Sequence, residues 1–183
     1  YLVNNGTVSV ENKNMKNIKV TTGDIEAFVF DFDGVLTNNI VYLNQEGVES
    51  VACSRADGLA FDVLRKLNKP AFILSTEKSF VVAMRAKKLK IPVVQGVTDK
   101  VLAIKELARE NKFNLKNILY VGNDLNDYLV MKVCGYTACP VDSHLKIKEI
   151  SKYILTTKGG NGVVRELLEQ ILNLDFIEIL YSK

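Results

Sequence analysis

Residues 25–37 read IEAFVFDFDGVLT, an apolar run that ends in two carboxylates, Asp31 and Asp33, with Gly34 next and Thr37 shortly beyond. Ile25, Ala27, Phe28, Val29 and Phe30 are too uniformly apolar for a strand with one wet face. They read as a strand of a parallel sheet covered on both faces. In open α/β sheets, ligands bind beyond the carboxyl ends of such strands, so Asp31 stands where the core stops and a site can begin. Desolvation and mutual repulsion both oppose ionisation of two acids there. A bound divalent cation is the simplest compensation.

The rest of the chain extends this pattern. A chain of 183 residues with 48% hydrophobic content can bury one sizeable core, and a single domain is expected. Net charge is only +3, with no basic stripe interleaved with aromatics, which does not suggest a nucleic-acid binder. No apolar run approaches the ~20 residues needed to span a bilayer, and no membrane association is expected. Cys53, Cys134 and Cys139 are odd in number and lack ligand-like spacing, which suggests a reducing, cytoplasmic compartment. Residues 1–23 are polar and rich in Asn and Lys, with one short β-prone run at Thr7–Val10. They read as a leader or linker, leaving 24–183 as the folded domain. Because the first residue is Tyr1 rather than Met, a piece of something longer is expected.

After Thr37, Ile40–Leu43 and Val48–Cys53 are β-prone runs joined by a turn at 44–47. This hairpin over 39–53 interrupts the βαβ rhythm, and its apolar content suggests that it packs on something. From Asp57, strands and helices alternate. A helix carries Leu59 to Leu67, opened by Asp57 near its N-cap, and a strand runs from Pro70 to Leu74. A basic helix covers Ser79–Leu89, and a short strand Pro92–Val94. A helix capped by Thr98 precedes a strand at Asn117–Val121 and a helix to Val133. A strand at Tyr136–Ala138, a helix at Ser143–Ile150 and a strand at Tyr153–Leu155 follow. A last helix carries Val163 to Leu172. Alternation of this kind predicts an α/β, doubly wound, Rossmann-like parallel sheet with a protruding β-hairpin.

Polar groups cluster where strands end: Asp31 and Asp33, Ser75, Asn123, Asp124 and Asp127, with Lys100 from a helix start. A parallel sheet brings neighbouring strand ends to one edge. The set fits phosphoryl transfer. A carboxylate nucleophile approaching a phosphate monoester needs Mg²⁺, a lysine and hydroxyl or backbone donors to neutralise charge. A second acid can protonate the leaving alkoxide and later activate water.

DFDGVLT resembles the first motif of the haloacid dehalogenase superfamily of phosphatases. Ser75 resembles its second motif, Lys100 its third and GNDLND (122–127) its fourth, over residues 25 to about 172. The resemblance implies that Asp31 is nucleophile and metal ligand, and that Asp33 is general acid/base and a metal ligand through its carbonyl. It also implies that Ser75 and Lys100 hold phosphate, Asp124 completes the Mg²⁺ site and Asp127 orients the metal water or Lys100. Asn123 stands where many members carry another aspartate.

Only 44 positions separate Asp31 from Ser75, 25 separate Ser75 from Lys100 and 24 separate Lys100 from Asp124, which leaves no room for a cap domain. This is similar to the capless, tetrameric branch acting on 3-deoxy-D-manno-octulosonate 8-phosphate and its nine-carbon relatives. The resemblance implies a phosphorylated sugar acid as substrate and a homotetramer assembled through the 39–53 hairpin. Arg55, Asp57 and Gly58 resemble the branch's substrate loop. Gly159–Gly162 with Arg165 resembles a C-terminal segment that reaches an adjacent subunit. Thr76, Glu77, Arg85 and Lys88 complete the expected substrate contacts, with Glu77 and Lys88 selecting the nine-carbon sugar. The same fold occurs as the C-terminal domain of acylneuraminate cytidylyltransferases. A weakly catalytic or non-catalytic assembly domain is therefore the competing expectation, although such a role requires none of Asp31, Asp33, Ser75, Lys100 or Asp124.

Overall fold

The computed structural model describes residues 20–182. The strand expected at Thr7–Val10 lies outside these residues. Six parallel strands form one sheet: β1 (Ala27–Phe30), β4 (Ala71–Leu74), β5 (Val93–Val94), β6 (Ile118–Val121), β7 (Tyr136–Cys139) and β8 (Tyr153–Ile154), in spatial order β5-β4-β1-β6-β7-β8. From β1 the chain winds outward through β4 to β5. It then returns to β6 on the other side of β1 and winds outward again to β8. The reversal falls between β1 and β6, where strand ends in such sheets leave a crevice.

Alternation along β1 shows why the sequence lacks a polar face. Phe28 and Phe30 enter one core with helices α1 (Ala56–Lys66), α2 (Phe80–Leu89), α6 (Val163–Glu166) and α7 (Phe176–Tyr181). Ala27 and Val29 enter the other with α3 (Lys100–Asn111), α4 (Tyr128–Val133) and α5 (Leu145–Ile150). Phe30 meets Phe61 of α1 edge to face, ring centroids 5.3 Å apart. The core reaches back to Val20, which is buried although it lies in the stretch read as leader.

The hairpin forms from β2 (Tyr42–Leu43) and β3 (Glu49–Ser50), shorter than expected, with Tyr42 opposite Ser50. Val51 and Cys53 at its base rest on the core, while its apolar tip stays in the open among the described residues. Ile40, Val41, Tyr42, Leu43 and Val48 are all more than half exposed. The cap of α3 is Asp99 rather than Thr98, its carboxylate accepting from Val101 and Leu102 N–H. Asp57 lies in the first turn of α1, near its N-cap as expected. The last expected helix passes into a π-helical turn at Leu167–Ile171, after which α7 forms a helix that the sequence reading did not place. Asp175 caps α7 through Ile177 and Glu178 N–H, and Phe176 buries against the α1 side.

Glycine packing makes a direct test of this fold. A Cβ at Gly135 would fall 1.7 Å from the Lys116 carbonyl oxygen, whereas one at Gly58 in α1 meets nothing within 4 Å. Gly58→Ala is expected to stabilise by roughly 0.4–1 kcal/mol through helix propensity. Gly135→Ala is expected to lower the urea midpoint clearly, because backbone must move. Equal midpoints for the two variants would contradict the packing of β7 against the Lys116 turn.

Candidate active site

Asp31 directly follows β1, its N–H bonded to Val121 O of β6 at 2.9 Å, so the sheet itself fixes its place. Its Oδ1 accepts from Phe32 N–H at 2.8 Å and from Lys100 Nζ at 2.8 Å. Lys100 is the first residue of α3 and is 4% exposed. Its ammonium also reaches Asp127 Oδ1 at 2.7 Å. Asp127 is fully buried. Its Oδ1 accepts from Tyr120 Oη at 2.9 Å and its Oδ2 from Asn123 N–H at 2.9 Å. A lysine therefore lies between two buried carboxylates, and the second is anchored to β6 by a tyrosine. Tyr120 was not singled out in the sequence. It sits one residue from the strand end, and its hydroxyl is the only feature that separates it from its apolar neighbours.

These contacts set the protonation balance. Burial pushes the Asp31 carboxyl up and the Asp127 charge adds to it, while Lys100 and the Phe32 N–H oppose. Burial disfavours the Lys100 cation, but Asp31 and then Asp127 outweigh it and hold its pKa above the ordinary value. Asp33 is raised by burial and then by Glu77, against a hydrogen bond from Thr37 Oγ1 at 3.4 Å. Thr37 Oγ1 in turn accepts from Gly34 and Asn39 N–H, both at 3.2 Å, and ties the Asp33 turn together. Gly34 has φ +77°, and a Cβ there would meet Asn123 Nδ2 at 1.9 Å. That close approach brings the first and fourth motifs together.

A cleft of about 270 Å³ opens at this point, lined by Asp31, Asp33, Ser75, Thr76, Asn123 and Asp124 among others. Ser75 closes β4, is 1% exposed and accepts from Glu77 N–H, which leaves its O–H to donate. Three carboxylates on the cleft wall, with Asp127 behind them, face one lysine, so an anionic substrate needs further positive charge. The residues present fit magnesium. Every donor is a hard oxygen, and Asn123 Oδ1 is buried with no hydrogen-bond partner. Among the described residues no three acidic, histidine or cysteine side chains form a ready-made ligand cage. Magnesium commonly takes only one or two carboxylates and completes its shell with water and phosphate oxygens.

The other expected substrate residues do not join this cleft. Arg55, Gly58, Arg85 and Lys88 line a separate cavity of about 360 Å³ beside α2, with Cys53 and Arg65. Arg85 Nη2 donates to Ser54 O at 2.7 Å. The Glu77 carboxylate accepts from Lys78 and Ser79 N–H at 2.7 and 2.9 Å and so caps the start of α2. Arg165 turns away, its Nε paired with Glu169 at 2.9 Å and its guanidinium over the Phe176 ring. Asp57 is also turned away, accepting from Arg165 N–H at 3.1 Å. Sequence order places these residues in the neighbourhood but does not give the direction of a side chain.

The model of a family described as haloacid dehalogenase-like hydrolase matches residues 71–167. The 3-deoxy-D-manno-octulosonate 8-phosphate phosphatase KdsC of Yersinia pestis is 29% identical over 150 residues, 81% of this chain and 80% of the relative. The enzyme of the same name from Moraxella catarrhalis was solved with magnesium ion, phosphate ion and KDO. It shares 33% identity with a TM-score of 0.78, over 82% of this chain and 87% of that one. The cobalt-bound phosphatase YrbI of Haemophilus influenzae is 26% identical, with a TM-score of 0.78 over 82% and 88% of the two chains. The chain belongs to the haloacid dehalogenase-like hydrolases. The enzyme class read from its four motifs, a phosphoric monoester hydrolase, stands.

Burial raises Asp57 to about 6 from an ordinary 3.8, against backbone hydrogen bonds and two arginines. Between those values the folded chain holds a proton that the unfolded chain has lost, so this group's contribution to stability falls as pH rises from about 4 to about 6. Thermal melts of Asp57→Asn and wild type should therefore diverge in the variant's favour from pH 4 to pH 7. A constant difference would contradict the assignment.

Proposed function

We propose that this chain is a Mg²⁺-dependent phosphatase of a 2-keto-3-deoxy sugar acid phosphate, working through an aspartyl-phosphate on Asp31. The observation that carries the proposal is the convergence of Asp31, Lys100 and Asp127 behind a cleft that also holds Asp33 and Ser75. Bound through Asp31, the Asp33 carbonyl and Asp124, Mg²⁺ would supply the charge that lets a carboxylate approach a phosphate dianion. Asp31 attacks phosphorus, an acyl phosphate forms and the ester P–O bond breaks. Asp33 gives its proton to the leaving alkoxide, and its raised pKa suits that task. Asp33 then takes a proton from the water that attacks phosphorus. Phosphate leaves and the Asp31 carboxylate is restored. Lys100 keeps Asp31 fixed, and Asp127 holds the Lys100 ammonium from the side opposite Asp31. Ser75 and Thr76 are the hydroxyl donors for the phosphate.

The relatives' names favour the eight-carbon octulosonate. The nine-carbon preference assigned to Glu77 and Lys88 draws no support from their placement, because Glu77 is spent on capping α2 and Lys88 lines the separate cavity. Phosphate release from both sugar acid phosphates, with and without EDTA, tests the proposal. The eight-carbon ester is the expected preferred substrate. Asp31→Asn is expected to lose at least roughly 10³-fold in kcat, as removal of a covalent nucleophile does. Full activity in EDTA, or in Asp31→Asn, would refute it.

The exposed hairpin supports assembly with further copies of this chain, since a contiguous apolar edge of this kind is costly in water. Light scattering is expected to give a tetramer for the wild type and a smaller species for Val41→Glu with Leu43→Glu. A monomeric wild type would contradict this part of the proposal.

A further inference from the structure

The glycine-rich segment 159–162 lies on the catalytic turn of its own chain. Gly160 N–H donates to Val35 O at 3.0 Å. A Cβ at Gly159 would fall 2.2 Å from Gly34 O and 3.0 Å from Thr37 O, and one at Gly160 would fall 2.5 Å from Asn38 N. Gly160 also has φ +73°, so bare backbone is needed there for space and for conformation. These two residues form the floor of the turn that presents Asp33.

The segment is fastened on three sides. Asp142 Oδ1 accepts from Gly159 N–H at 3.0 Å. The Glu166 carboxylate accepts from Thr156 N–H and Oγ1 at 2.7 and 2.9 Å, and from Thr157 N–H at 2.7 Å. The start of α6 is the third point. Its cap is Gly162, which has no side chain to satisfy the first N–H groups. The Asp57 carboxylate does so from α1, more than a hundred residues earlier in the chain. Asp57 is 1% exposed, and its Oδ1 meets Arg165 N–H while Oδ2 has no partner.

We infer that Asp57 is a positioning residue: by capping α6 from α1 it holds Gly159-Gly160 beneath the Asp33 turn. The inference rests on the phosphatase reading above and assigns Asp57 to the catalytic step rather than to recognition of the sugar. A carboxylate that binds sugar matters only for substrates that have one. A carboxylate that sets the turn matters for every phosphate ester.

The test compares kcat and KM for p-nitrophenyl phosphate and for the octulosonate ester, with saturating Mg²⁺, in wild type, Asp57→Ala, Asp57→Asn and Glu166→Ala. Asp57→Ala is expected to lower kcat on both esters by a similar factor, roughly ten- to a hundred-fold, because small displacements of reacting groups cost that much. KM should stay within about two-fold by the same argument. Asp57→Asn keeps the accepting oxygen and should restore most of kcat. Glu166→Ala loosens the same segment from its other end and should reproduce the pattern, which keeps the test decisive if Asp57→Ala does not fold. A loss confined to the sugar ester, or expressed as a rise in KM, overturns the inference. So does wild-type kcat in the variants that fold. If the wild type hydrolyses neither ester, the phosphatase reading falls with it.

Discussion

The structure depends on a cation held in the interior between two carboxylates. Lys100 is 4% exposed, with Asp31 and Asp127 at 2.8 and 2.7 Å. Such a trio is costly to bury, and removing one member of a buried pair typically costs about 3–5 kcal/mol, because it strands the others. The contact persists only because backbone fixes all three groups. Asp31 is pinned to β6 through Val121 O, Lys100 opens a helix capped by Asp99, and Asp127 accepts from Tyr120 and Asn123. The winding reversal between β1 and β6 is what brings those three backbones together.

The trio also explains why the cleft is incomplete as a protein site. One lysine against Asp31, Asp33, Asp124 and Asp127 leaves surplus negative charge where a phosphate has to enter. Asn123, which lines the same cleft, has its Oδ1 buried without a donor. A hard cation would answer both needs. The cleft is small and open, which suits the phosphate end of a substrate whose remainder extends beyond it. No second domain stands above it among the described residues.

Much of this was legible in the residues. The unbroken apolar run from Ala27 to Phe30 gave the central strand, because only a strand buried on both faces tolerates it. Asp31, Ser75 and Asp124 fell beyond strand ends and Lys100 at a helix start, and the parallel sheet gathered them. What escaped was direction. Arg165 belongs to a motif, yet its guanidinium stacks on Phe176 of a helix that the periodicity did not reveal. Asp57 opens α1 as its place in the sequence suggests, and its carboxylate accepts from Arg165 N–H of α6. Tyr120 lies in the core as one residue of β6, and its hydroxyl donates to Asp127. Asp57 depends on a partner remote in sequence, and Arg165 and Tyr120 on partners in other elements, where local pattern carries no signal. The cap of α3 moved by one residue for a simpler reason: Asp99 stands beside Thr98, and both are good caps.

The most direct measurement is to quench the wild-type chain in acid during turnover with magnesium, digest it and map the phosphoryl group by mass spectrometry. The account predicts an acid-stable, hydroxylamine-sensitive phosphoryl group on the peptide that carries Asp31. A phosphoryl group on any other residue, or turnover with none trapped while product release is slowed, would contradict it.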